Sequence, residues 1–192
     1  MPERDPDDIP TDDPRPDGLR RAASLVVVFT GPGKGKTSAA MGTVLRSVAR
    51  EWRVAVVQFL KSGRWRTGEE KVCRQLGVDW WAHGEGFTWE SEDLDLDRDV
   101  AAAAWERARE LIVGGEHRLV VLDEVTYPLN WGWIDSTEVL ATIRDRPGQV
   151  SVVATGRNAP PGLVEVADTV SDIADVKHAY RAGIRAKRGI DF

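Results

Sequence analysis

The sequence predicts an α/β fold with a mostly parallel sheet covered by helices on both faces. Three observations predict it. Short apolar, β-branched runs recur without polar alternation, as strands buried on both faces require. Helical stretches separate these runs, as crossovers between parallel strands demand. The residues able to do chemistry follow the ends of the runs, where ligands bind in such sheets.

The first strand is residues 25–29, Leu-Val-Val-Val-Phe. A glycine-rich turn follows it, then a helix over about 36–50. Residues 54–60 form the second apolar run. Residues 68–76 read as a helix, with Gly77 as its C-terminal cap. A third strand is expected at 78–83, before a glycine-rich loop over 84–89. The alanine-rich stretch 99–113 is helical and stops at Gly114-Gly115. Residues 118–122 are the next strand, which ends on Asp123-Glu124. A helix over 136–144 has Ser136 near its cap and Pro147 beyond its end. Residues 149–155 form another strand, followed by Gly156-Arg157. A short helix at 162–167 leads to a last strand at 169–173. The connections should be right-handed crossovers.

Charge is concentrated at the start of the chain. Net charge is −5. Residues 1–18 hold Glu3, Asp5, Asp7, Asp8, Asp12, Asp13 and Asp17 against Arg4 and Arg15, so all of it lies there. Five prolines and few large apolar residues accompany these charges. Residues 1–20 are therefore expected to be a disordered acidic tail, and 21–192 the folded domain. The domain is formally neutral, which argues against a nucleic-acid partner. No run approaches the roughly 20 apolar residues of a membrane helix, and the acidic N-terminus is no secretory signal. Cys73 is the one cysteine, too few for a disulfide or a cysteine-rich zinc site. A cytoplasmic location is the expectation.

The chemistry centres on residues 30–38, Thr-Gly-Pro-Gly-Lys-Gly-Lys-Thr-Ser. Gly31, Gly33 and Gly35 let the backbone curl so that its N–H groups point at phosphate oxygens. Lys34 and Lys36 supply charge, Ser38 lies in the first helical turn, and the helix end adds positive potential. The Thr37 hydroxyl is a candidate Mg²⁺ ligand. The pattern G-x-x-x-x-G-K-[ST] is matched imperfectly, because Thr30 stands where its first glycine belongs. The strand-then-helix setting is right, and it predicts a P-loop NTPase fold of the RecA-like type. Asp123 and Glu124 follow a buried strand, and either carboxylate is a candidate to hold the metal. Arg157 also follows a strand end, where a guanidinium can reach a phosphate. Gln58 and Lys61 are neighbours only.

Residues 24–38 resemble the nucleotide loop of bacterial P-loop-type ATP:corrinoid adenosyltransferases. So do Val56-Val57-Gln58-Phe59-Leu60-Lys61, Gly86-Phe87-Thr88-Trp89, Leu122-Asp123-Glu124-Val125-Thr126-Tyr127 and Thr155-Gly156-Arg157. Val176-Lys177-His178 and Gly189-Ile190-Asp191-Phe192 fit as well. The resemblance runs in order over about residues 21–192. It implies that cobalt(I) of a reduced corrinoid attacks the 5′ carbon of ATP and that tripolyphosphate leaves. It implies ATP as co-substrate with Mg²⁺ or Mn²⁺, a cobalt-reducing flavoprotein or other reductant, and a homodimer.

The resemblance also gives Lys36, Phe87 and Trp89 catalytic roles, the two aromatics lying under the corrin ring. Two aromatics flanked by Gly84 and Gly86 are able to form such a platform, though aromatics also serve simply to pack. Pro32 departs from the family pattern and removes one N–H from the loop. A P-loop kinase or NTPase, or a nucleotide-gated binding module, is the competing class.

Overall fold

The computed structural model describes residues 15–60, 67–82 and 94–191. Its strands are β1 (Val26–Thr30), β2 (Val54–Gln58), β3 (Asp79–Ala82), β4 (Leu119–Asp123), β5 (Ser151–Thr155) and β6 (Thr169–Asp172). They form one sheet in the order β3-β2-β4-β5-β1-β6. Every pairing is parallel.

Successive side chains of a strand point to opposite faces, so an unbroken apolar run serves two cores. Val26 and Val28, Ala55 and Val57, Val120 and Leu122, and Val152 and Ala154 face one of them. That core is closed by α3 (Leu94–Gly114), α5 (Ser136–Arg144) and α6 (Pro161–Val166). Val54 and Val56, Leu119 and Val121, and Val153 face the other, which α1 (Lys36–Val48) and α2 (Gly68–Gln75) cover. The expected three-layer α/β architecture is therefore the observed one, and it fits a P-loop NTPase-like fold. Each fully buried valine or leucine contributes about 1.5–3 kcal/mol, so the two cores hold the strands in register.

Element ends differ from the sequence expectation by a residue or two, with informative exceptions. Helix α3 begins at Leu94 rather than 99, with Asp95 and Asp97 in its first turn, where carboxylates favour the helix N-terminus. The cap of α5 is Asp135, next to Ser136: its carboxylate accepts from the Thr137 N–H at 2.8 Å. A short helix α4 (Thr126–Asn130), absent from the sequence reading, follows β4 directly. Residues 15–23 are exposed, while 1–14, most of the expected tail, lie outside the described residues. No helix among the described residues is long and apolar enough to cross a membrane.

Parallel pairing places all strand ends on one edge. Gln58 pairs with Asp123, Phe29 with Thr155 and Thr30 with Asp172. β5 separates β1 from β4, so the glycine loop and Asp123 leave strands that do not touch.

Candidate functional site

The loop between β1 and α1 is shaped by close approach of the chain after β6. Gly31 has φ +98°, and a Cβ there would lie 2.1 Å from Asp172 Oδ1. A Cβ on Gly33 would lie 2.4 Å from the Ala174 carbonyl oxygen. The Gly33 N–H donates to the Ile173 carbonyl at 2.7 Å. Gly35 meets no such neighbour but has φ +117°, a left-handed conformation that favours glycine.

Lys36 opens α1 and folds back over the loop. Its Nζ donates to the Gly31 carbonyl at 2.9 Å and the Gly33 carbonyl at 2.5 Å. Burial pushes the Lys36 ammonium below its usual pKa, and the Arg157 charge adds to this; Glu124 and Asp172 oppose it. These four side chains thus share one electrostatic neighbourhood. Lys34 is paired with Asp191. Ser38 is exposed on the first turn of α1.

Asp123 is the hub of the edge and is fully buried. Its Oδ1 accepts from Thr37 Oγ1 at 2.9 Å and from Thr155 Oγ1 at 2.8 Å. Its Oδ2 accepts from Gln58 Nε2 at 2.9 Å. The Gln58 oxygen in turn accepts from Trp80 Nε1 at 3.3 Å, which fixes the amide's orientation. Thr155 also accepts from the Glu124 N–H at 2.9 Å, so one hydroxyl on the intervening strand ties both carboxylate residues in place. Glu124 has φ +65°, a turn that carries the chain from β4 into α4.

The Arg157 loop is held by Thr126, whose hydroxyl donates to the Arg157 carbonyl at 2.7 Å. A Cβ on Gly156 would lie 2.0 Å from that same hydroxyl oxygen. Thr30 Oγ1 accepts from the Ala159 N–H at 3.0 Å and fastens the loop to β1.

The sequence-derived candidates therefore separate into groups. Gly31, Gly33, Lys34, Gly35, Lys36, Thr37 and Ser38 stand on one loop. Asp123 is bonded directly to it, while Glu124 and Arg157 act on it through Lys36. Phe87 and Trp89 lie outside the described residues, as does Lys61. Gln58 is more than a neighbour, since it holds the carboxylate. Thr155, at the end of a predicted strand, and Asp191, in the closing Gly-Ile-Asp-Phe, belonged to stretches marked in the sequence without a role of their own; Trp80 and Asp172 had no assigned place in the site. A hydroxyl ending a strand run beside Gly-Arg was the signal for Thr155, and no local pattern tied Trp80 or Asp172 to the phosphate loop. His178 caps the short 3₁₀ helix Ala179–Ala182, its Nδ1 accepting from the Tyr180 N–H at 3.1 Å.

A divalent cation fits this donor set. Among the described residues, no group of three or more His, Cys, Asp or Glu side chains is placed to hold a metal ion by itself. Thr37 and Asp123 offer two hard oxygens beside a phosphate loop. That suits Mg²⁺, which is commonly held by one or two carboxylates together with substrate phosphates.

The model of the family ATP:corrinoid adenosyltransferase BtuR/CobO/CobP matches residues 22–192. A corrinoid adenosyltransferase of Pseudomonas aeruginosa is 44% identical over 175 residues, covering 90% of this chain and 86% of that protein. One from a Sinorhizobium species is 41% identical, covering 88% of this chain and 80% of that protein. The corrinoid adenosyltransferase CobA of Salmonella typhimurium is 39% identical, covering 88% and 85%. With its phosphate loop, buried Asp123 and near-complete span of the match, the chain belongs to the ATP:corrinoid adenosyltransferase BtuR/CobO/CobP family.

Proposed function

We propose that this protein transfers the 5′-deoxyadenosyl group of ATP to the cobalt(I) of a reduced corrinoid and releases tripolyphosphate, in adenosylcobalamin synthesis or salvage. The observation that carries this is the joining of Lys36, Thr37 and Asp123 at one strand edge in a chain similar over most of its length to corrinoid adenosyltransferases.

The lone pair of cobalt(I) forms the cobalt–carbon bond as the bond from C5′ to the triphosphate oxygen breaks. Cobalt is formally oxidised to cobalt(III), and the electron pair of the broken bond leaves on tripolyphosphate. No proton moves, so no general base is needed. What the protein must supply is stabilisation of charge on the departing triphosphate. Lys36 exchanges its two loop carbonyls for phosphate oxygens, and the loop N–H groups and Arg157 bind further oxygens. Thr37 and Asp123, with Glu124 beside them, would hold Mg²⁺ or Mn²⁺. When bound, the cation supplies further neutralisation of the triphosphate.

Phe87 and Trp89 are proposed as an apolar platform beneath the corrin, leaving cobalt without a lower ligand and easier to reduce. A reductant, such as a flavoprotein, then provides cobalt(I). The working unit is proposed to be a homodimer in the cytoplasm.

Product identity tests the proposal. ATP with chemically reduced corrinoid should yield a light-sensitive adenosylated corrinoid and tripolyphosphate in equal amounts. Release of ADP and orthophosphate would overturn it in favour of a kinase or NTPase. Replacing Trp89 by alanine should spare turnover of prereduced cobalt(I) and lower turnover of cobalt(II) supplied with a reductant. Equal loss on both substrates would remove the platform role.

A further inference from the structure

Both lysine ammonium groups of the loop, and the Gly33 N–H, have internal partners. Lys36 bonds Gly31 and Gly33 carbonyls, and the Gly33 N–H bonds Ile173. Lys34, at the loop's tip, pairs with Asp191, over 150 residues away. Asp191 is not a loose surface carboxylate. Its Oδ2 accepts from the Lys187 N–H at 2.6 Å, and its own N–H donates to the Lys187 carbonyl at 2.8 Å. Gly189, at φ +82°, closes the turn that presents it. Oδ1 is thereby aimed at Lys34, and the pair is partly shielded: the two side chains are 45% and 25% exposed.

We infer that Asp191 is a positioning residue that acts through Lys34 and limits how tightly the loop holds a polyphosphate. The inference rests on the reading that the whole triphosphate is the leaving group. An enzyme of that kind faces a specific difficulty. The loop must stabilise tripolyphosphate as it departs, and then let go of an anion that keeps all its phosphates. A fixed carboxylate that competes for Lys34 weakens the final complex, and it also opposes an approaching anion by charge. The competition is moderate, because a half-exposed ion pair is worth about 0.2–1 kcal/mol.

The test is tripolyphosphate binding to the full chain, measured by calorimetry with Mg²⁺ and without corrinoid. Asp191→Asn should tighten binding by about 1.4- to fivefold, the factor to which that pair energy corresponds. Asp191→Glu, which keeps the charge, should move affinity back toward the starting protein. Product inhibition by tripolyphosphate in the transfer assay should strengthen by the same factor in Asp191→Asn. In a Lys34→Ala background, the Asp191→Asn change should lose most of its effect.

Unchanged or weaker binding in Asp191→Asn would overturn the inference, as would tightening that persists undiminished without Lys34. Should Asp191→Asn fold poorly by thermal melting, Asp191→Glu against Lys34→Ala carries the same comparison. The calorimetry needs no transfer activity. Failure to form an adenosylated corrinoid therefore bears on the proposed function and not on Asp191.

Discussion

The two ends of the sheet hold similar side chains arranged to opposite purpose. At the amino ends, Asp79 opens β3 and meets Arg53 and His117, the latter at 2.8 Å. Arg53 continues to Glu116. At the carboxyl ends, Asp123 meets two threonine hydroxyls and a glutamine amide. A carboxylate bonded to a guanidinium has its charge balanced by that neighbour. Hydroxyl and amide donors instead orient a carboxylate while leaving it suited to meet a divalent cation. The same residue type thus closes one end and equips the other, and the difference lies in what the neighbouring strands bring to it.

Removing the cation of the loop should separate the two ends most widely. Lys36→Ala is expected to lower transfer by about 10²–10³-fold, the range for loss of one donor to a developing anion. Its melting temperature should stay close to that of the starting protein, because the Lys36 bonds only fold the side chain over its own loop. Near-normal turnover would break the assignment of the carboxyl end.

A backbone change comes next. Gly156→Ala places a methyl group 2.0 Å from Thr126 Oγ1, at φ +141°. A cost of about 1–3 kcal/mol from the backbone alone is expected, and the clash adds to it. It should appear as a lower melting temperature together with weaker ATP binding, since the Arg157 loop must shift. An unaltered melting curve would mean that Thr126 can move aside.

Gln58→Leu tests the arrangement around the carboxylate. It removes a buried donor from Asp123 and leaves Trp80 Nε1 without its acceptor, at about 1–3 kcal/mol. The informative readout is the Mg²⁺ concentration for half-maximal turnover, which should rise several-fold. A change in stability with no change in Mg²⁺ dependence would reduce Gln58 to packing.

The smallest effect is expected at the amino end. The His117 hydrogen bond holds the Asp79 carboxyl below the ordinary range, against its partial burial, with Arg53 assisting. A depressed folded-state pKa contributes stability that is fully present above the unfolded value, about 3.9, and is lost as pH falls through the folded one. Asp79→Asn should therefore cost under about 1 kcal/mol near neutrality, with Asp79 more than a third exposed. The gap from the starting protein should shrink as pH drops below about 4. Transfer activity should be unchanged, and a loss like that of Gln58→Leu would erase the distinction between the two ends.

Much of this was legible in the sequence. The run 24–38 declares strand, turn and helix start within a few neighbouring residues. The strands announce burial on both faces through composition alone, because a polar residue in them would face one of two dry cores. Asp123-Glu124 was marked by its place after such a strand, but which carboxylate is bonded to Thr37 was not. The positive φ of Glu124 settles that by turning the chain just after Asp123. Helix α4 was hidden because Pro128 lies inside it, and proline in a helix interior argues against one.

The sequence by itself determined the three layers, the phosphate loop and the edge on which the chemistry lies. Each depends on periodicity or turn chemistry within a short stretch. Only the tertiary structure decided that β5 enters between β1 and β4, that Thr155 and Gln58 close on Asp123, and that Ile173, Ala174 and Asp191 meet the glycine loop. Those facts join residues over 30 to 150 positions apart. They follow from how helices of given length and apolar face pack on a shared sheet, which no local pattern encodes.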